Sequence, residues 1–151
     1  MQPHIRGHIF LGVDKVMEDT VRLYYHAYRF YSSMGLHLLK SFNVLEEVGM
    51  FLCELSEEKQ IGYFRLLKFL KGNYKGDMSF PKHDRTPPKW KGVLSVMEYA
   101  INLEKELDQA VRILYRKASR TGKSVLCDLL RTHFLNGEHV QEQIQAHMDN
   151  V

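Results

Sequence analysis

The sequence predicts an all-α fold, a four-helix bundle of two antiparallel hairpins joined by one long crossover. Two observations predict it. Apolar residues recur at helical spacing in four segments, and the connections between these segments are short, long and short in turn. No segment shows the alternation with a period of two that is typical of a half-buried strand. A chain of 151 residues can bury about 70 % of its unfolded surface, so we expect one domain over residues 1–151.

The four predicted helices cover about residues 13–38, 44–70, 91–119 and 124–150. The second has the clearest ends, because Asn43 with Glu46 resembles a capping box and "KGN" follows Leu70 as a stop signal. Each helix has an apolar face. The face of the first helix comprises Val16, Leu23, Ala27, Phe30, Met34 and Leu38, and that of the second comprises Leu52, Leu55, Tyr63, Leu66 and Leu70. The face of the third comprises Val93, Met97, Ala100, Ile101, Val111 and Leu114, and that of the fourth comprises Leu126, Leu129, Leu130, Val140, Ile144 and Met148. Faces of this kind pack against neighbouring helices, as a bundle requires.

The connections decide the topology. About five residues separate the first helix from the second and the third from the fourth, which predicts two antiparallel hairpins. Between the second and third helices lie about twenty residues that include Pro81, Pro87 and Pro88, and fully extended they reach about 66 Å. A helix of about 26 residues is only about 39 Å long. The connector can therefore run the length of the bundle and start the third helix parallel to the second.

The composition is that of an ordinary globular domain, with 44 % hydrophobic and 26 % charged residues. No run approaches the ~20 apolar residues that cross a bilayer, and the N-terminal stretch lacks the cleavage site of a secretory signal. The net charge of +3 is dispersed, and its densest stretch, residues 82–92, is interpreted as a solvated loop rather than a nucleic-acid surface. Cys53 and Cys127 have no metal spacing and are expected to be reduced thiols. We therefore expect a cytoplasmic protein without nucleic-acid or membrane partners.

Two charged side chains fall inside the apolar faces. In helical projection Lys59 lies in the middle of the second face and Glu104 in the middle of the third. A lone buried charge costs several kcal/mol, so we expect Lys59 and Glu104 to form a buried ion pair at mid-bundle. Tyr24 and Tyr31 of the first helix are its expected hydrogen-bond partners. The alternative is that Lys59 extends past Gly62 to solvent and Glu104 lies in a wet cavity.

The same positions argue against a di-iron centre. Such a centre needs carboxylates from several helices and Glu-x-x-His pairs that point inward. Here Lys59 and Gly62 stand at the i, i+3 positions of the second helix, one cationic and one without a side chain. Glu138 could supply a carboxylate, but His133 and His139 do not flank it at ligand spacing. An ammonium group repels Fe²⁺ and offers no lone pair.

The second helix also carries an acidic stripe away from its apolar face. Glu54, Glu57 and Glu58 share this stripe, and Ile61 and Phe64 continue it with apolar side chains. A solvated helix face is the ordinary interpretation of three such glutamates. Clustered carboxylates are also the ligands that hard Fe³⁺ prefers. From the residues alone, both interpretations remain open.

The chain as a whole resembles the ferritin family, and within it the light-chain subunits of vertebrates. The segments that carry the resemblance are "VRLYYHAYRFYSSMG" (21–35), "ELSEEKQIGYFRLLK" (54–68), "MEYAINLEKELDQA" (97–110) and "LCDLLRTHFLNGE" (126–138). Heavy-chain ferritins contain a ferroxidase centre inside the bundle. At four positions of that centre this chain is similar to the light chain, with Tyr24, Lys59, Gly62 and Glu138. The resemblance implies a ferritin-like bundle in which the Lys59–Glu104 pair replaces the iron site, and hence no ferroxidase activity.

The resemblance also implies a role for the surface residues. In light-chain ferritins the outer carboxylates of the second helix face the interior of a hollow shell, where they bind Fe³⁺ and nucleate the mineral; Glu54, Glu57 and Glu58 match that pattern. Asp128 matches an acidic position of the channel that admits iron, whereas Arg131 replaces a second carboxylate there and weakens the attraction of cations. Family chains continue into a further short helix after the fourth, which this sequence is expected to lack.

The leading hypothesis is a light-chain-type subunit that stores iron in a shell of ferritin subunits, its own kind and heavy chains, with ferric iron as its cargo and no organic cofactor. The alternative is a degenerate bundle that binds another protein without storing iron, because Ile61, Phe64 and Arg131 depart from the family pattern. Two further classes are disfavoured. A ferroxidase would need iron ligands at positions 59 and 62. A haem-binding bundle would need paired inward histidines, whereas His26, His37 and His133 are expected at the rim or edge of the core.

Overall fold

The protein is described here by a computed structural model, which covers residues 2–40, 46–73, 92–135 and 138–151. Five α-helices make up nearly all of these residues, and no strand occurs among them. They are α1 (Gln2–Lys40), α2 (Glu46–Asn73), α3 (Val93–Arg120), α4 (Ser124–His133) and α5 (Glu138–Asp149). The all-α class and the four-helix bundle are confirmed, with α4 and α5 together in the place of the predicted fourth helix.

Two helices extend further than predicted. α1 begins at Gln2 instead of residue 13, and Pro3 is compatible with this because the first turn of a helix tolerates proline. α2 continues through "KGN" to Asn73, so these residues do not stop the helix. Asn43, the expected cap of α2, and residues 74–91, which form most of the predicted crossover, lie outside the described residues.

The predicted fourth helix is interrupted, and this is a correction to the expected span of 124–150. α4 ends at His133, where the backbone N–H groups of both Phe134 and Leu135 bond to the carbonyl of Leu130, at 2.9 and 3.0 Å. The second of these bonds spans five residues and therefore breaks the i→i−4 ladder. The sequence continues with Asn-Gly, a dipeptide that disfavours helix.

The turn from α3 into α4 requires a glycine. The N–H of Lys123 bonds to the carbonyl of Ala118 at 2.8 Å, and the N–H of Gly122 bonds to the carbonyl of Ser119 at 3.3 Å. This pair of bonds is the Schellman arrangement, in which the residue after the cap adopts the left-handed conformation. Gly122 has φ of +71°, so it occupies that position without the steric penalty that a Cβ would bring.

The core lies along the inner faces of all five helices. α1 packs along α2 and against α3, and α3 packs against α4 and α5. Fully buried side chains come from every helix and include Tyr31, Leu52, Leu66, Leu114, Leu126, Leu130 and Ile144. α1 and α2 lie in close contact at two glycines, because a Cβ on Gly35 would lie 3.0 Å from the carbonyl oxygen of Gly49. None of the described helices combines the length and hydrophobicity needed to cross a membrane.

Candidate functional site

The centre of the bundle contains the charged pair that helical projection predicts. Lys59 on α2 and Glu104 on α3 are each only 5 % exposed. Lys59 Nζ lies 2.8 Å from Glu104 Oε1, and the hydroxyl of Tyr31 on α1 donates to Glu104 Oε2 at 2.6 Å. Each carboxylate oxygen therefore has a donor, which offsets the cost of removing both charges from water. Together with Tyr31, the pair links α1, α2 and α3.

Two buried tyrosines enclose this pair. Burial, followed by the charge of Glu104, raises the pKa of both Tyr24 and Tyr31 above the ordinary value for a phenol. Both hydroxyls therefore stay protonated, and Tyr31 acts as a donor to the carboxylate. Tyr24 presents its ring to Lys59, with Nζ 6.0 Å from the ring centre, which is within the range of a cation–π contact.

The space beside Gly62 is filled by aromatic rings. A Cβ at Gly62 would lie 2.9 Å from Cε1 of Tyr24 and 3.2 Å from Cε1 of Phe134. These two rings pack edge to face, with centroids 5.4 Å apart. A larger side chain at position 62 would have to displace both rings. The space that a Cβ at position 62 would enter is thus occupied by hydrocarbon.

The donor set at the centre does not fit iron. Lys59 offers an ammonium group where a ligand would need a lone pair, and both oxygens of Glu104 already accept hydrogen bonds. Among the described residues, no group of three or more His, Cys, Asp or Glu side chains is placed to hold a metal ion. Glu138 begins α5, but its side chain lies outside the described residues.

A cleft of about 250 Å³ opens from this centre to the surface. It lies between α2 and the residues His133, Phe134 and His139 at the end of α4 and the start of α5. Lys59 and Gly62 line its inner end, and Glu58, Arg65 and His139 line its rim. Glu58 Oε1 lies 3.7 Å from Lys59 Nζ, so one of the acidic-stripe residues touches the central pair. The cleft therefore connects the core ion pair with the outer face of α2.

The acidic stripe of α2 faces solvent. Glu54, Glu57 and Glu58 are all exposed, and on the same face Ile61 and Phe64 are 54 % and 55 % exposed. The structure thus brings the three glutamates together on one surface, beside an apolar patch formed by Ile61 and Phe64.

The two channel candidates pair with each other. Asp128 and Arg131 are both exposed on α4, and the guanidinium of Arg131 donates to Asp128 Oδ1 one helical turn away. An exposed pair of this kind adds little stability. Its consequence is electrostatic, because the local negative charge of Asp128 is compensated.

The sequence did not predict a second, partly buried polar contact, between His26 on α1 and Tyr99 on α3. His26 Nε2 and the hydroxyl oxygen of Tyr99 are 2.7 Å apart, and His26 is 5 % exposed. The histidines considered for a haem site do not converge, because His37 and His133 are exposed whereas His26 is buried against Tyr99.

Comparisons with known proteins give a consistent result along the whole chain. No protein-family model matches. The chain is 34 % identical to a ferritin light chain of Pongo abelii and 35 % identical to ferritin light chain 1 of Rattus norvegicus; both alignments include all of this chain and cover 87 % and 83 % of the relatives. It is also 29 % identical to a ferritin middle subunit of Salmo salar, over 97 % of this chain and 80 % of that protein.

Proposed function

The chain belongs to the ferritin family as a divergent relative of its light chains, and we propose that it is a light-chain-type subunit that stores iron in a hollow shell. In this role it has no ferroxidase centre of its own and relies on heavy-chain subunits for Fe²⁺ oxidation. The observation that carries the proposal is the buried Lys59–Glu104 pair, whose two charges and hydrogen bonds are satisfied without a metal.

The physical argument concerns what the bundle centre can bind. Oxidation of Fe²⁺ at a di-iron site needs several inward carboxylates and imidazoles to hold two cations. A buried ammonium at position 59 repels those cations, and the rings of Tyr24 and Phe134 fill the space at Gly62. The pair instead stabilises the bundle, so that the subunit contributes structure to the shell.

The first test is the size of the assembly. We expect light scattering after size-exclusion chromatography to detect a large shell, either for the protein alone or after refolding with a heavy-chain ferritin. We also expect the pure protein to oxidise Fe²⁺ no faster than protein-free buffer, with the heavy chain alone as a positive control. Oxidation clearly above the buffer rate would refute the absence of a ferroxidase centre, and a small species in both preparations would refute the storage role.

We assign ferric nucleation to Glu54, Glu57 and Glu58 as part of the same proposal. Replacing all three by glutamine should slow growth of the ferric core several-fold in shells formed with a heavy chain, because Fe³⁺ prefers carboxylate oxygens over amides. The measurement is the absorbance of the ferric mineral after addition of Fe²⁺.

A charge-matched control separates nucleation from general electrostatics. Glu98, Glu142 and Asp149 are also exposed, and they lie on α3 and α5. Neutralising these three changes the net charge equally and should leave core growth close to the parental rate. Equal slowing in both triple variants would show that net charge, rather than the α2 stripe, governs nucleation.

Iron uptake through the shell is expected to be slower than in family members with an acidic channel. The reason is the exposed Asp128–Arg131 pair, which compensates the charge that would attract cations. This part of the proposal concerns the rate of uptake and is separate from the capacity of the shell.

A second candidate function rests on the apolar patch formed by Ile61 and Phe64. Both side chains are more than half exposed on α2, so the face could bind a protein partner in a bundle that no longer forms shells. A monomer or dimer in both light-scattering preparations favours this alternative.

A further inference from the structure

The contact between His26 and Tyr99 has the geometry of a proton-transfer pair. The phenolic oxygen and the imidazole Nε2 are 2.7 Å apart, within the range in which a positioned base accepts a proton. His26 is buried, whereas Tyr99 is half-buried. The two residues join α1 to α3 at a place distinct from the Lys59–Glu104 pair.

Aromatic contacts connect this pair with the bundle centre. The Tyr99 ring lies 4.7 Å from the Phe30 ring, and the Phe30 ring lies 5.3 Å from the Tyr31 ring, measured between centroids. The hydroxyl of Tyr31 is in turn bonded to Glu104. A continuous path of ring contacts therefore runs from the half-buried Tyr99 to the interior.

We propose that Tyr99 and His26 form a proton-coupled one-electron donor, which reduces strong one-electron oxidants that reach the bundle. In this step the Tyr99 ring loses one electron to the oxidant while its O–H bond breaks. The proton moves along the hydrogen bond and forms an N–H bond at Nε2. The products are a neutral phenoxyl radical, an imidazolium and the oxidant reduced by one electron.

The surroundings explain why this tyrosine is suited to the step. Loss of an electron makes a phenol strongly acidic, so oxidation is easier where a base is already in contact with the hydroxyl. His26 serves as that base in the tautomer that carries its proton on Nδ1. Phe30 holds the Tyr99 ring in van der Waals contact and closes the gap to Tyr31 without taking up a proton.

The test is flash photo-oxidation of the iron-free protein by photogenerated ruthenium(III) tris-bipyridine, with the radical detected by electron paramagnetic resonance. The use of iron-free protein makes the result independent of iron storage. We expect Tyr99→Phe, which keeps the ring, to remove most of the neutral phenoxyl signal. Tyr115→Phe, a replacement of another half-buried tyrosine of α3, should keep that signal.

The proton acceptor is tested separately. His26→Gln can still form a hydrogen bond but cannot take up the proton, so radical formation should slow by on the order of tenfold or more. In the unmodified protein the rate should fall in deuterated water, a measurement that does not depend on the folding of a variant. An unchanged signal in Tyr99→Phe, a parental rate in His26→Gln or the absence of an isotope effect would each overturn the proposal.

Discussion

Replacement of Lys59 by methionine is expected to lower the free energy of unfolding by about 3–5 kcal/mol, the usual cost of removing one partner from a buried ion pair. Methionine preserves most of the volume and helix propensity of lysine, so packing changes little. The loss arises because Glu104, which is 5 % exposed, retains a charge with only the Tyr31 hydroxyl to stabilise it. Urea denaturation followed by circular dichroism measures the change.

The double variant Lys59→Met with Glu104→Gln isolates the cause. It removes both charges, and the amide oxygen of glutamine can still accept from Tyr31, so we expect most of the lost stability to return. Lys15→Met is the matched control, because Lys15 pairs with Asp19 on the surface and exposed pairs contribute little. If Lys59→Met costs no more than Lys15→Met, the central pair does not have the structural role assigned to it.

The ion pair was predictable from the sequence for a simple reason. Helix periodicity fixes which residues share a face, and Lys59 and Glu104 are charged residues at the centre of two apolar faces. Low-dielectric surroundings leave such residues few alternatives to pairing with each other. The first three helices follow from the same periodicity, but periodicity does not show that the predicted fourth helix is divided into α4 and α5.

Other features depend on contacts between helices that periodicity does not specify. Gly62 suggests an empty position beside α2, but the rings of Tyr24 of α1 and of Phe134, the residue after the end of α4, lie against it. The His26–Tyr99 contact likewise depends on how α1 and α3 are rotated relative to each other.

The surface residues show a different limit. Glu54, Glu57 and Glu58 lie together as predicted by their spacing, yet exposure alone does not distinguish a nucleation site from a solvated face. That distinction depends on what lies opposite the face in an assembly. Helix geometry does not specify what lies there, so the glutamine variants of Glu54, Glu57 and Glu58 are needed to distinguish the two interpretations.

The second large effect is expected at alkaline pH. Burial raises the pKa of Tyr24 and Tyr31 in the folded protein, whereas in the unfolded chain both titrate near the ordinary phenol value of about 10. Below that pH both states hold the protons, and stability is unaffected. Above it the unfolded chain releases protons that the folded protein retains, so each tyrosine lowers the free energy of unfolding by about 1.4 kcal/mol per pH unit. At pH 11 the two together should cost about 2.7 kcal/mol.

Denaturant titrations between pH 9 and 11.5, together with the absorbance of phenolate at each pH, test this expectation. Tyr31→Phe removes one of the two buried phenols, so its stability should decline less steeply with pH, although it starts lower because Glu104 loses a donor. Tyr24→Phe should reduce the slope in the same way while keeping the Tyr31–Glu104 bond. A slope equal to the parental one in both variants would contradict the burial of these hydroxyls, since it is their shielding from water that ties their ionisation to unfolding.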